Sequence, residues 1–354
     1  MAKTEKQEKP PSRREKETLK KLVRGIVLAQ DNIFIKELLR EQEIKIGATK
    51  ADFERHMLQA IEQGKLQRSY VDAWLDRVEG WGDQHIYLYR VPSGVSEDPV
   101  WTDSRGIQQK VQKAGFARFW NVRTSLKFPQ TLTLTGIHFD GACLSFVWHQ
   151  GLPSWVQDPD KDYEKTIGGD LYQFRAHRQR AERSVMRFVF RPKSRLAGVF
   201  IQVPWDKVEH DKALGEVRDS VSRLLEFNSL TPFSVALAIK GLDQASLNAK
   251  RTEGDSVKTY KTRLSGGGAY VEFASTSVRR GYQDIEPIRH VRRALNPKSF
   301  RGLHGVFLFR RVGLRGSTRD LKIGLYGQQR RIRLWAQMTA DEVWEILETL
   351  KKYG

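Results

Sequence analysis

The stretch TLTLTGIHF (residues 131–139), followed by Asp140-Gly141 and then ACLSFVW (residues 142–148), is the clearest local signal in this chain. Both runs alternate with period two, the spacing that sends successive side chains to opposite faces of a strand. The Asp-Gly pair between them tolerates positive φ at both centres of a type I′ turn, so a β-hairpin is predicted over 131–148. Downstream, further strands are expected at Ser184–Phe190 and Leu196–Val203, then a helix with Val217, Val221, Leu224 and Leu225 on one stripe, then a strand at Phe233–Ile239. Residues 241–268 are polar, lack apolar periodicity and end in Gly266-Gly267-Gly268, which reads as an exposed loop or linker. Strands follow at 269–275, 306–312, 321–326 and 332–335, with a short basic helix near 285–295. Thr339 and Glu342 form a capping box for a last helix with Val343, Ile346, Leu347 and Leu350 inward. Strands and helices do not alternate as a doubly wound parallel sheet requires. The expected class is α+β, a largely antiparallel-sheet body with helices behind a small N-terminal helical domain.

Upstream of the hairpin the period changes to that of a helix. Leu19, Leu22, Val23 and Ile26 share one face, as do Ile35, Leu38 and Leu39. Thr49 and Asp52 resemble a capping box for a helix burying Phe53, Met57, Ala60 and Ile61, and Ser69 is expected to cap a fourth helix burying Val71, Trp74, Leu75 and Val78. A strand at His85–Val91 ends at Pro92-Ser93-Gly94. These breaks suggest a disordered basic arm (1–16), a helical module ending in a strand (17–92), an α+β domain (98–240), the linker (241–268) and an Arg-rich α+β region (269–354). The module carries mixed charge and no Arg/Asn/Gln row on one helix, so it is expected to contact a protein partner or to assist in binding nucleic acid.

The formal net charge of +19 is concentrated in two places. Val278 to Arg333 holds thirteen Arg and two Lys against three acids, a net +12; Gln173 to Arg195 holds seven Arg and one Lys against Glu182 alone, a net +7. The remainder of the chain is neutral overall. Positive charge gathered this way attracts a polyanion, and guanidinium forks match phosphate oxygens bidentately. Nucleic acid is therefore the expected partner, DNA ahead of RNA, bound without catalysis and within a larger nucleoprotein assembly. In QQRRIRLW, alternation puts Arg331 and Arg333 on one face and Ile332 and Leu334 on the other, with Tyr326 and Trp335 nearby as stacking surface. The expected binding set is Arg330, Arg331, Arg333, Arg310, Arg311, Arg315, Arg301, Arg279 and Arg280, with Arg289, Arg292 and Arg293 on the short helix, and Arg175, Arg178, Arg180 and Arg183 in the second cluster.

Other chemistries leave little trace. Cys143 is a lone cysteine and reads as a small hydrophobe inside a strand. The histidines form no HExxH or Cys/His zinc pattern, His138 beside Cys143 lacks an activating third group, and no GxSxG elbow occurs. The triple glycine lacks the Lys-Ser/Thr of a P-loop, so it is expected to be a connector, and no cofactor or metal is expected. Asp320-Leu321-Lys322, with Asp284 and Glu286 upstream, supports the alternative of a metal-dependent nuclease, an effector of host defence, which needs clustered carboxylates. No apolar run approaches the ~18 residues of a membrane span, and the polar N-terminus has no apolar core of a signal peptide. A cytoplasmic, nucleoid or nuclear protein is expected, neither membrane-bound nor secreted.

The arrangement of helices, then VDAWLDRVEGWGDQHIYLYRV (residues 71–91), then a basic α+β body resembles the layout of the centromere protein N family. That family joins a small helical pyrin-like domain to a sheet domain contacting DNA and nucleosome. The resemblance spans roughly residues 20–200 and implies DNA contact by the sheet body. It is one of arrangement, and no residue is carried over from it.

Overall fold

The computed structural model describes residues 12–122, 129–202, 210–248, 257–266, 268–276, 281–295, 300–312 and 319–354. Four helices come first, α1 (Arg13–Gly25), α2 (Asn32–Glu41), α3 (Lys50–Glu62) and α4 (Arg68–Val78), and then β1 (Gln84–Arg90). Next are α5 (Ser93–Ser96), α6 (Ser104–Lys113), β2 (Thr133–Phe139), β3 (Leu144–Gln157), β4 (Tyr163–Ile167), β5 (Asp170–Phe174), β6 (His177–Arg191), β7 (Leu196–Gln202) and α7 (His210–Val221). The chain continues with β8 (Thr231–Pro232), α8 (Val235–Asn248), β9 (Val257–Gly266), β10 (Ala269–Ala274), α9 (Glu286–Ala294), β11 (Arg301–Val312), β12 (Arg319–Tyr326), β13 (Arg331–Leu334) and α10 (Ala340–Lys351). The fold is α+β, with antiparallel sheets.

Two compact units form, and the first is discontinuous: Met1–Arg90 joins Thr231–Gly354, while Val91–Leu230 makes the second. The first unit thus unites the helical module with the Arg-rich C-terminal region, which the sequence reading had placed in separate domains. The cause is β1, whose Gln84, His85 and Ile86 pair with Leu334, Arg333 and Ile332 of β13, and whose Tyr89 and Arg90 pair with β8. Strand order in this unit is β10-β9-β11-β12-β13-β1, with β8 on β1. The module is also fastened by side chains: Arg319 lies over the Phe34 ring at 5.2 Å and pairs with Glu342, and Gln337 accepts from the Asp31 N–H at 2.5 Å. Inside the module the expected stripes are buried, with Trp74 Nε1 donating to the Phe34 carbonyl at 3.1 Å.

Helix α8 lies on the inner face of the sheet. An added Cβ at Gly302 would stand 2.6 Å from both Ile239 Cβ and the Ala236 carbonyl, so only glycine permits this close approach. Phe307, Phe309, Leu321, Ile323, Leu325, Ile332 and Leu334 are all buried, and α10 adds the expected stripe Val343, Ile346, Leu347 and Leu350. Burying seven large apolar side chains on one sheet face, at roughly 1.5–3 kcal/mol each, fixes which strand residues point outward.

The structure revises several local expectations. Of residues 233–239, read as a strand, all from Val235 open α8, because burial of Val235, Ala238, Ile239, Leu242 and Leu247 follows the helical period. The supposed linker 241–268 carries the rest of α8 and β9, and the triple-glycine segment joins β9 to β10, with Ala269 opposite Gly266. Helix α1 begins at Arg13 behind a Ser12/Glu15 capping box, so the last residues of the expected disordered arm are ordered; residues 1–11 lie outside the described residues. Helix α4 starts at Arg68 with Gln67 as its N-cap rather than Ser69. The hairpin 131–148 forms with Phe139 opposite Leu144, but positive φ occurs at Gly141 alone (φ 84) and Asp140 accepts the N–H groups of Ala142 and Cys143. Gly141 therefore takes the first centre of the turn, the requirement of type II′ rather than I′ geometry. Cys143 sits in that turn, and burial, with Asp140 beside it, pushes its thiol up to about 12.

In the second unit the strand order is β7-β6-β3-β2. Phe146, Phe188, Phe190 and Trp148 fill its core with Trp101, which meets Phe190 edge-on at 4.8 Å. Strands β3 and β6 pair from Leu144↔Phe190 out to Gln157↔His177, and the hairpin β4–β5 follows at the far end. Both of its strands are exposed along their whole length.

Candidate nucleic-acid interface

The outer face of the first unit's sheet collects cations and aromatic rings in cross-strand rows. One row runs Glu272, Arg263, His304, Tyr326, Arg331 across β10, β9, β11, β12 and β13. The next runs Ala274, Lys261, Val306, Gly324, Arg333, His85, and a third pairs Lys258, Leu308 and Lys322. Tyr270 and Arg301 both face Ser265 and close the opposite end. Alternation produces this layout: with Leu321, Ile323, Ile332 and Leu334 inward, Lys322, Gly324, Arg331 and Arg333 must face out.

Each ring on this face has a cation against it. The Lys322 ammonium is 4.3 Å from the Tyr260 centroid and 5.8 Å from that of Trp335. Arg331 lies over Tyr326 at 4.7 Å and Arg263 over Tyr270 at 4.9 Å. The Trp335 ring rests on Gly324, where an added Cβ would approach it to 2.8 Å. Tyr270 is 65% exposed and Trp335 40%. Burial, followed by the charges of Lys261 and Arg263, holds His304 below the ordinary imidazole value, so it presents a neutral ring beside Tyr326, 4.8 Å between centroids.

Not every cation here is open to a phosphate. Glu272 binds both Lys261 and Arg263 at 2.8 Å, Asp83 binds Arg333 at 2.5 Å, Asp284 binds Lys258 at 2.9 Å, and Asp320 stands 3.7 Å from Arg310. Among the described residues, Arg301, Lys322, Arg330 and Arg331 have no carboxylate within ion-pair distance. Three of those four belong to the set expected from sequence; Lys322 had been considered only for a nuclease, and Tyr260, Lys261, Arg263 and Tyr270 were missed. The reason is physical: β9 turns Thr259 and Thr262 inward instead of aliphatic residues, Thr262 Oγ1 meeting the buried Tyr282 hydroxyl at 2.8 Å, so its sequence lacks the apolar alternation of a strand.

The other expected residues are scattered. Arg292 faces the protein interior, 1% exposed, with Nη2 2.5 Å from Asp243 Oδ2. Asp243 is wholly buried and is also held by the Tyr282 hydroxyl, so Arg292 is a structural counter-ion and leaves the binding set. Arg293 is exposed and donates to the Leu247 carbonyl at 3.2 Å, while Arg289 is half-buried. Arg279, Arg280 and Arg315, and the side chains of Arg180 and Arg311, lie outside the described residues. Of the nuclease candidates, Asp284 and Asp320 take the cations named above, and Glu286 stands 3.8 Å from His290. Among the described residues no three His, Cys, Asp or Glu side chains converge as a metal site would require.

The second cluster sits in the second unit. Arg175 and Arg178 are exposed, Arg178 lying 4.0 Å from Asp158. Arg183 instead serves the fold: its Nη2 donates to His149 Nε2 at 2.5 Å, leaving Nδ1–H to donate to Thr135 Oγ1 at 2.6 Å, and the Thr135 hydroxyl donates to the Val147 carbonyl at 2.9 Å. Burial above all, then the charges of Arg183, Arg187 and His138, pushes His149 down to about 2. The unfolded chain therefore takes up this proton first, and stability is lost as pH falls through the unfolded value near 6.5. Between pH 7.5 and 5 the expected loss is about 2 kcal/mol, at about 1.4 kcal/mol per pH unit once below that value. Urea unfolding of wild type and His149→Gln across this range checks it; equal slopes for the two proteins would rule His149 out as the cause.

No protein-family model matches this chain, and no curated protein is significantly similar to it. Among the described residues no helix is long and apolar enough to cross a membrane.

Proposed function

We propose that this protein binds nucleic acid through the outer face of the first unit's sheet. The observation that carries the reading is the set Arg301, Lys322 and Arg331, on the face that also bears Tyr260, Tyr270, Tyr326 and Trp335, with Arg330 in the adjoining β12–β13 turn, four cations without carboxylate partners among the described residues. A merely solubilising surface intersperses charges of both signs, as Glu272 does at one edge. Among the described residues Lys322, Arg330 and Arg331 have no such carboxylate partner, and the exposed Lys322 ammonium stands beside two rings. Such a face attracts phosphates electrostatically and offers bases a surface to lie on. Binding is the whole of the proposed activity, and the protein would act as a component of a nucleoprotein complex.

Salt dependence tests the placement. The triple variant Arg301→Ala, Arg330→Ala, Arg331→Ala is expected to bind more weakly to unrelated sequences alike. Its slope of log K against log[salt] should flatten by about 0.9 per lost phosphate contact on duplex DNA and about 0.7 on a single strand. An unchanged slope and affinity in a variant with the wild-type circular dichroism spectrum would remove this face from the interface.

A further inference from the structure

We infer that the ligand of this face is single-stranded nucleic acid, its bases lying on Tyr260, Tyr270 and Trp335 while its phosphates meet Lys322, Arg301, Arg330 and Arg331. The inference rests on the nucleic-acid reading above and adds the strand class. Its first support is shape. Five strands at about 4.8 Å spacing make a surface roughly 19 Å across, too broad for the ~12 Å major groove of a duplex, which admits a helix or a two-stranded ribbon. Against an undistorted duplex the rings of this face would meet no base face, since paired bases hide their π faces in the stack. Its aromatic rings would then have no function.

The rings are placed for stacking instead. Tyr270 and Trp335 are large side chains that remain 65% and 40% exposed on a sheet whose other face is closely packed. Their orientation is held from beneath and beside: Trp335 by Gly324, which leaves room for the indole, and Tyr270 by the Arg263 guanidinium, itself fixed by Glu272. Lys322 stands between Tyr260 and Trp335, so a base on either ring would bring its own phosphate within reach of the ammonium. A ring beside a cation recurs across the sheet, the pairing that a stacked base and its phosphate call for. Glu272 limits the surface at the β10 edge, where it occupies Lys261 and Arg263, so phosphate contacts are expected at Arg301 on β11 and toward β12 and β13.

The experiment titrates the full-length protein with a short labelled oligothymidylate, the matching oligouridylate and a mixed-sequence duplex of equal length at one ionic strength. The single strands are expected to bind more tightly than the duplex. Trp335→Ala and Tyr270→Ala should each weaken single-strand binding by about fivefold to a hundredfold, the value of one stacked base, without changing duplex affinity or the salt slope. Trp335→Phe should recover most of the loss, and Gly324→Ala should reproduce it in part by displacing the indole. Tyr270 is exposed at the end of a strand, so its variant reports binding even if a change at Trp335 disturbs the fold. Equal affinity for duplex and single strand, with ring variants behaving as wild type, would overturn the single-strand inference and leave the nucleic-acid reading standing. No binding to any of the three probes would overturn both.

Discussion

Arg292→Ala protein is expected to lose about 3–5 kcal/mol of folding stability, because the substitution leaves the Asp243 carboxylate buried without its counter-ion. Arg292 Nε donates to Asp243 Oδ2 at 2.7 Å, Nη2 approaches the same oxygen, and the Tyr282 hydroxyl donates to the other. Burial already raises the Asp243 carboxyl, and Arg292 is the largest influence pulling it back. Without the arginine the carboxyl rises further, and since a raised carboxyl stabilises the fold as pH falls, the variant should recover part of its loss on mild acidification. Lysine cannot restore the forked contact, whereas leucine at both positions should be less damaging than alanine at Arg292 alone. Urea midpoints at two pH values measure all of this. A loss under 1 kcal/mol accompanied by weakened nucleic-acid binding would return Arg292 to the interface.

Deleting residues 1–90 is expected to unfold what remains of the first unit. The deletion strips β13 of its partner β1, removes Asp83 from Arg333 and Phe34 from Arg319, and uncovers the edge at Ile332 and Leu334. An unpaired apolar strand edge is also a template for aggregation. The 91–354 chain should therefore be poorly soluble, or show a denaturant m-value reduced toward that of the second unit, since m follows the surface exposed on unfolding. Residues 1–90 made alone should likewise lack a sharp transition, as β1 would have neither neighbour. Cooperative unfolding of a soluble 91–354 chain with an m-value in proportion to its full length would show that the helical module is an independent domain after all.

Elements whose side-chain period matched their burial were legible without coordinates. The stripes of α1 to α3 and α10, two capping boxes, the alternation of β12 and β13 and the hairpin 131–148 all depend on contacts within a few residues. Where local pattern and burial disagree, reading failed. Val235 to Ile239 is apolar enough for a strand, yet it is the first turn of a helix whose period shows only over fourteen residues. Strand β9 turns threonines inward, and only Tyr282, from a distant segment, makes that burial tolerable.

The same division holds for the candidate site. Composition determined that the chain carries a strong and localised positive charge, and the two-residue period of QQRRIRLW determined that Arg331 and Arg333 leave the core together. Neither could say which arginines are already neutralised. Arg333 meets Asp83 across about 250 residues of chain and Arg292 meets Asp243 inside the protein, so two charges that look identical in sequence are spent on the fold. Tertiary structure alone decided that β9 and β10 lie beside β11 and β12, joining Tyr260 and Tyr270 to the surface that holds Lys322 and Trp335. The physical reason is range: helical and strand periods are set by neighbours in the chain, whereas charge pairing and the assembly of a sheet face depend on which distant segments the packing brings within a few ångströms.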